Sequence, residues 1–375
     1  MRLAIISLHL HSNIGGILQS YALQTALERM GNEVTIFDSV EDPGRLPKRK
    51  LCLLFTKWAI KRLLRRPAFP PTWSAELRAK YPFISKYLHL MGTRDFATLE
   101  RKDFEGFVVG SDQVWRQRFF SGGRPRPATE IYEFLSFAKE WQGIRRVAYA
   151  ASFGEAEWNY PDHETAPCAE LAQMFDAVSV REDSAATLCR EYLGVEAKHV
   201  IDPTMLLNKE DYCSLIEAAG ELRPCNDMFC YVLDSNAGKW RLTRSAAKLL
   251  NMELTTITGV TSFFRTFPGE IRFAKVEEWL RCFRDAKCVV TDSFHGSVFS
   301  IIFGKPFVVI SNAGRGSTRM ESLMRMFGLN DRLIADPAKA KPQDVADLLS
   351  KPADVSARLE ALRAEADAFL RSALS

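Results

Sequence analysis

Apolar residues fall along this chain in two alternating patterns: tight runs of three to five, and longer stretches at helical spacing. The stretch from Lys287 to Ile310 shows the unit most clearly. Cys288, Val289 and Val290 suit a buried parallel strand. Thr291, Asp292 and Ser293 supply N-cap chemistry. Phe294, Val298, Ile301 and Ile302 then recur at helical spacing, Gly304 is placed as a C′ residue, and Pro306–Ile310 reads as a second buried strand. His295 therefore falls in the first turn of a helix, at the carboxyl end of a strand, the edge where open α/β sheets bind ligands. A helix amino terminus favours anions and lowers the pKa of a nearby imidazole. A neutral imidazole at an anion site suits acid–base work. A capping or packing histidine would occupy the same position.

The same alternation runs through both halves. Strands are expected at Arg2–Leu10, Val34–Phe37, Gly106–Val109, Arg146–Ala150, Ala177–Val180 and His199–Ile201. A loop from His9 to Gly16 opens a helix from Ile17 to Met30, and another helix covers Glu164–Phe175. Arg181 follows directly on the Ala177–Val180 strand. Pro203 cannot continue a central strand and marks a boundary. Beyond it come strands at Met228–Leu233 and Glu253–Ile257, and a helix at Val276–Ala286. A polar, Gly-rich loop at Ser311–Arg319 bears Arg315 and Arg319, and helices follow at Met320–Phe327 and Glu360–Leu374. The expectation is an α/β chain with domains at 1–205 and 206–352, and a helix at 353–375 that could pack back on the first domain. Two parallel halves with facing carboxyl edges make a cleft.

Composition narrows the function. At 375 residues the chain suits two domains, and its 47% hydrophobic and 26% charged shares are those of a soluble globular protein. The net charge of +4 is unevenly placed: Arg45 to Ala75 holds nine basic residues and no acidic one, which leaves −5 elsewhere. Nucleic-acid binding is not implied. In that segment Leu51, Leu54, Phe55, Trp58, Leu63 and Leu64 alternate with the basic residues, the pattern of a basic amphipathic helix. Such a helix either packs on the domain or docks on an anionic membrane. The eight cysteines form no C-x-x-C pair and read as reduced thiols of a cytosolic protein. The first residues read as a strand and not as a signal peptide, and no run is long enough to span a membrane. Localisation is therefore expected to be cytoplasmic, peripheral on the inner face of the membrane if residues 45–66 dock there. His9 and His11 lack a third metal ligand, so no metal is expected. Gly15-Gly16 lacks the full G-x-G-x-x-G, although a Gly-rich turn at a helix start can take a phosphate or a sugar hydroxyl.

Several stretches, taken together, resemble the polysaccharide pyruvyl transferases. They are SNIGGILQSYALQTAL (12–27), FVVGSDQVW (107–115), YAASFG (149–154), VSVRE (178–182), VIDPTMLL (200–207), VVTDSFHGSVFS (289–300) and the stretch 319–329. The resemblance implies a GT-B-like fold of two Rossmann-like domains facing across a cleft. It also implies transfer of pyruvate from phosphoenolpyruvate, as co-substrate and without a further cofactor, onto two hydroxyls of a sugar. The product is a cyclic ketal, and phosphate is released. Acceptors in the family are typically glycans of capsules, exopolysaccharides or wall polymers, some carried on a lipid.

Residue by residue, His295 and Arg181 match the family's motif histidine and arginine, and both are expected to be catalytic. Ser293, Gly296, Arg315 and Arg319 are expected on the donor phosphate. His9, Asn13, Gly15, Gly16, Asp112 and Gln113 are expected on the acceptor. Another branch carries Arg where this chain has Ser293, so the positive charge must come from elsewhere, such as Arg315 or Arg319. Ile14 replaces an aromatic residue common in the first loop. A GT-B glycosyltransferase using a nucleotide sugar would share the fold, and so would a non-catalytic carbohydrate-binding relative.

Overall fold

The computed structural model describes residues 1–11, 13–40, 56, 60, 73–120, 126–234, 236–258, 269–311 and 317–375. The short apolar runs form two parallel sheets. The first holds β1 (Arg2–Ile6), β2 (Glu33–Ile36), β3 (Gly106–Val109), β4 (Arg145–Ala151), β5 (Ala177–Val180) and β6 (Lys198–His199), in the order β2-β1-β3-β4-β5-β6. The second holds β7 (Met228–Tyr231), β8 (Leu254–Thr258), β9 (Glu270–Arg272), β10 (Cys288–Thr291), β11 (Phe307–Ile310) and β12 (Leu333–Ile334), in the order β12-β11-β10-β7-β8-β9. β3, β10 and β11 are buried at every position, which explains why they are unbroken apolar runs and not alternating ones. Strand order reverses between β1 and β3 in one sheet and between β7 and β10 in the other. Both reversals open a crevice at the carboxyl edge, where α/β folds hold ligands.

The helices are α1 (Ile14–Arg29), α2 (Trp73–Tyr87), α3 (Asp162–Ala172), α4 (Asp183–Leu188), α5 (Lys209–Glu217), α6 (Ala237–Leu249), α7 (Val276–Asp285), α8 (Phe294–Ile302), α9 (Ser317–Phe327), α10 (Pro342–Leu349) and α11 (Ser356–Leu374). α1 is buried on most of its surface and every residue of α8 is buried, as expected of helices enclosed between sheets. One hydrophobic core runs from the first sheet to the second. Ile5, Leu18 and Leu23 belong to the same cluster as Trp279, Phe283 and Phe299. Each such side chain contributes about 1.5–3 kcal/mol by leaving water. The two sheets are therefore not independent bodies.

Polar contacts also cross the seam. The Asp183 amide donates to Ser322 Oγ at 3.0 Å, and Arg325 grips the Asp183 carboxylate at 2.8 and 3.0 Å. α11 leaves the second sheet and returns to the first. Arg363 on it donates to the Met205 and Leu207 carbonyls at 2.8 and 3.0 Å, and Phe369 packs against Tyr149.

Element ends differ by a few residues in several places, and three of the shifts bear on the site. β1 stops at Ile6 and not Leu10, because residues 7–11 turn outward over the crevice. α1 starts at Ile14 and not Ile17, so Gly15 and Gly16 are helical. α9 starts at Ser317, which places Arg319 on a helix and not in a loop. Arg315 lies outside the described residues, as does the basic segment 45–66 apart from Thr56 and Ile60.

Candidate active site

The turn that presents His295 is built by β10 and the cap of α8. Ser293 Oγ accepts the Gly296 amide at 3.3 Å, and Thr291 Oγ1 accepts the Ser293 amide at 3.0 Å while donating to the Tyr231 carbonyl at 2.7 Å. A side chain at position 296 would meet Thr291, its Cβ only 3.0 Å from the Thr291 Cβ. The Gly296 amide is thus already taken, and Ser293 spends its acceptor on it. Both residues shape the turn, whereas sequence reading aimed them at a phosphate.

His295 itself is buried between two helix starts. Its ring lies where a side chain at Gly15 would stand: an ideal Cβ there falls 2.5 Å from Cγ and 2.7 Å from Cε1 of the ring. Only glycine lets the first turn of α1 approach this closely. His295 Nε2 is buried, has no hydrogen-bond partner among the described residues, and lies 3.8 Å from Asp202 Oδ2. Burial pushes the imidazole below its ordinary pKa, the charges of Arg181 and Arg319 push the same way, and Asp202 and Asp112 offset part of it. The resting ring is neutral near pH 7.

Asp202 is the hub beneath it. It ends the segment after β6, and its Oδ1 caps the turn at Pro203–Leu206 by accepting the Thr204 amide at 3.0 Å and hydroxyl at 2.7 Å. Its Oδ2 accepts from Arg181 Nη1 at 2.8 Å and from the Gln19 amide. Arg181 also reaches Asp112 Oδ1 at 3.3 Å and lies 4.3 Å over the Phe294 ring. Arg319 lies 5.9 Å from the same ring and 3.9 Å from the same Asp112 oxygen. Burial alone would raise both carboxyl pKa values. The opposing influences together outweigh it, those of Arg181, His295 and Arg319 at Asp112 and those of His295, Arg181 and the Thr204 hydrogen bond at Asp202, so both stay ionised. Glu182, the next residue after Arg181, accepts instead from Ser152 and the Gly154 amide. The result is two guanidiniums, two carboxylates and one neutral imidazole in a largely dry pocket.

Beside this cluster a cavity of about 100 Å³ opens at the β1/β3 reversal, lined by His9, His11, Asn13, Gly16, Ser20 and Asp112 among others. His9 is held there by Asp38, whose Oδ1 is 2.6 Å from His9 Nδ1. Of the six positions expected on the acceptor, His9, Asn13, Gly16 and Asp112 line this cavity. Gly15 lies instead under His295, and Gln113 points to Arg116 at 2.7 Å and packs on Gly154. Sequence reading missed Asp202, Gln19 and Phe294. The only signal for Asp202 was its place before Pro203 at the end of a strand. No described helix is long and apolar enough to cross a membrane.

Comparison with known proteins places this geometry. The family described as polysaccharide pyruvyl transferase matches residues 13–314. No curated protein sequence matches the chain. Among solved structures, a UDP-GlcNAc 2-epimerase from Neisseria meningitidis bound to UDP-GlcNAc superposes with a TM-score of 0.51 at 9% identity, covering 100% of this chain and 99% of the other. The spinosyn rhamnosyltransferase SpnG complexed with thymidine diphosphate gives 0.43 at 12% identity, covering 100% of both chains. The UDP-GlcNAc 2-epimerase of Methanocaldococcus jannaschii gives 0.46 at 12%, covering 94% of this chain and 93% of the other. The likeness at 0.51 concerns the fold alone, which is α/β with two Rossmann-like domains across a cleft, GT-B-like.

Proposed function

The chain belongs to the polysaccharide pyruvyl transferase family, and on that premise we propose that it moves pyruvate from phosphoenolpyruvate onto two hydroxyls of a sugar. The sugar belongs to a surface polysaccharide or its lipid-linked precursor. The observation that carries the reading is the juxtaposition of His295 with Arg181 and Arg319 in one buried pocket, beside a polar cavity. The guanidiniums suit the donor's carboxylate and phosphate, which Arg binds with a planar fork. A trianion bound beside His295 raises its proton affinity. His295 then gives its proton to the donor methylene, and the carbon that bears the phosphate becomes cationic. An acceptor hydroxyl adds there and its proton returns to the imidazole. The imidazole passes that proton to the phosphate, which leaves with the electron pair of its C–O bond, and the second hydroxyl then bonds to the carbon, gives its proton to the imidazole and closes the ketal. Donors fixed around the departing phosphate stabilise its charge.

The cavity of about 100 Å³ lined by His9, Asn13, Gly16 and Asp112 suits the acceptor hydroxyls. The basic segment 45–66 would hold the protein against an anionic membrane surface, where a lipid-linked acceptor is presented. The purified protein should be stabilised against heat by phosphoenolpyruvate and not by nucleoside diphosphate sugars. With a galactose- or mannose-type acceptor it should release inorganic phosphate and add the mass of a pyruvate ketal. Stabilisation by a nucleotide sugar, with no response to phosphoenolpyruvate, would sink the reading in favour of a glycosyltransferase.

A further inference from the structure

The two carboxylates in the cationic pocket are held in different ways. Asp202 has a fully buried side chain, contacts Arg181 at 2.8 Å, and is tied down by Thr204 and Gln19. A contact of that length is a full charge-assisted hydrogen bond. Asp112 has a side chain 14% exposed and reaches Arg181 at 3.3 Å and Arg319 at 3.9 Å, both longer than such bonds. It stands on a left-handed turn at φ 54°, a conformation Asp adopts more readily than most residues, and it also lines the acceptor-side cavity. Asp202 is thus a permanent counter-ion of Arg181. Asp112 is loosely held, partly exposed, and within reach of the two guanidiniums that approach the Phe294 ring.

We propose that the space between Arg181 and Arg319 is an anion subsite for a carboxylate or phosphate group, and that Asp112 fills it while the protein is empty. An incoming anion takes the place of the Asp112 carboxylate against the two guanidiniums. The displaced carboxylate has the adjoining cavity to turn into, where it meets acceptor hydroxyls as a hydrogen-bond acceptor. Anion entry and acceptor readiness are thereby coupled through one side chain. The inference rests on the donor-site reading above, and it assigns Asp112 a second state that the reading does not require.

The two are separable by experiment. Binding of phosphoenolpyruvate and of inorganic phosphate is measured by calorimetry for the unmodified protein, Asp112→Asn and Asp112→Ser, with thermal melting to confirm that each is folded. Removing the competing charge should tighten both anions by about tenfold in either variant, since a like charge beside the site no longer opposes them. Tightening should be largest at low salt. If the unmodified protein binds phosphoenolpyruvate and both variants bind it no tighter, this inference falls and the donor reading stands. If the variants bind phosphate more tightly but no protein binds phosphoenolpyruvate, the subsite stands and the donor reading falls. Binding of neither anion by any of the three overturns both.

Discussion

Replacing Gly15 by Ala is the sharpest probe of how the pocket is assembled. In an ordinary helix the change stabilises, by roughly 0.5–1 kcal/mol, because alanine is the better helix former. Here the added methyl falls 2.5–2.7 Å from Cγ and Cε1 of His295. Comfortable carbon contacts lie near 3.5–4.0 Å, so the ring or the start of α1 must yield by about 1 Å. His295 and Gly15 are both buried. Such overpacking costs about 1–3 kcal/mol, so the sign of the helix effect reverses. A shift of that size at an acid–base residue lowers turnover by about a hundredfold. The assay is thermal and denaturant unfolding, together with phosphate release, on Gly15→Ala, His295→Ala and the double variant. In the His295→Ala background the clashing ring is gone, so Gly15→Ala should be neutral or stabilising there. The helix-former term cancels in the cycle, so its coupling energy should equal the overpacking cost, about 1–3 kcal/mol. A Gly15→Ala protein as stable and as active as the parent would refute the close approach of α1 to His295.

Two further outcomes are expected. His199 and His295 are each held below the ordinary imidazole pKa, burial being the largest cause in both, so each is neutral in the fold and takes up a proton on unfolding in mild acid. The unfolded chain then binds more protons, and stability present above pH ~6.5 declines as pH falls below it, by up to about 1.4 kcal/mol per unit for each histidine. Asp112 and Asp202 are depressed carboxylates that act below pH ~3.8 and leave this window clear. A melting temperature flat from pH 7.5 to 5.5 would contradict the burial of these rings. Separately, replacing Lys61, Arg62, Arg65 and Arg66 by Gln should abolish binding to anionic vesicles at low salt while sparing activity on a soluble acceptor. Failure of the unmodified protein to bind such vesicles would leave residues 45–66 without a membrane role.

The sequence disclosed elements whose shape is decided locally. Gly106–Val109 appears at its expected boundaries because a strand buried at every position reads as an unbroken apolar run, and Ala177–Val180 does so although Ser179 interrupts its run, the hydroxyl being satisfied by the Ala148 carbonyl and Ala150 amide. The start of α8 at Phe294 was legible because Ser293 announces the cap. The start of α1 was not. Gly15-Gly16 reads as a turn from local chemistry, and only the ring of His295, 280 residues away in the chain, shows that the missing side chain serves a packing need. Asp202 was hidden for the same reason: its partners come from positions 19, 181, 204 and 295. β9 and β12 escaped notice as short edge strands, one of them carrying Glu270 and Arg272. Arg319 reads as a loop residue because the Gly-rich stretch before it masks where the helix begins.

The return of α11 to the first sheet sets an order of events during synthesis. Residues 356–374 leave the ribosome after both sheets have been made, yet they cover Tyr149 and secure the Met205 and Leu207 carbonyls near the domain boundary. The amino-terminal half therefore emerges with an apolar face bare and keeps it bare until more than 150 further residues have followed Leu207. At about 5–20 residues per second that exposure lasts roughly ten seconds or more, long enough for a chaperone to engage. A nascent chain arrested before residue 356 should thus bind a holdase that the released protein does not. Fusions that hold α11 away from Tyr149 should fail by aggregation of the first domain, although the altered residues lie at the other end of the chain.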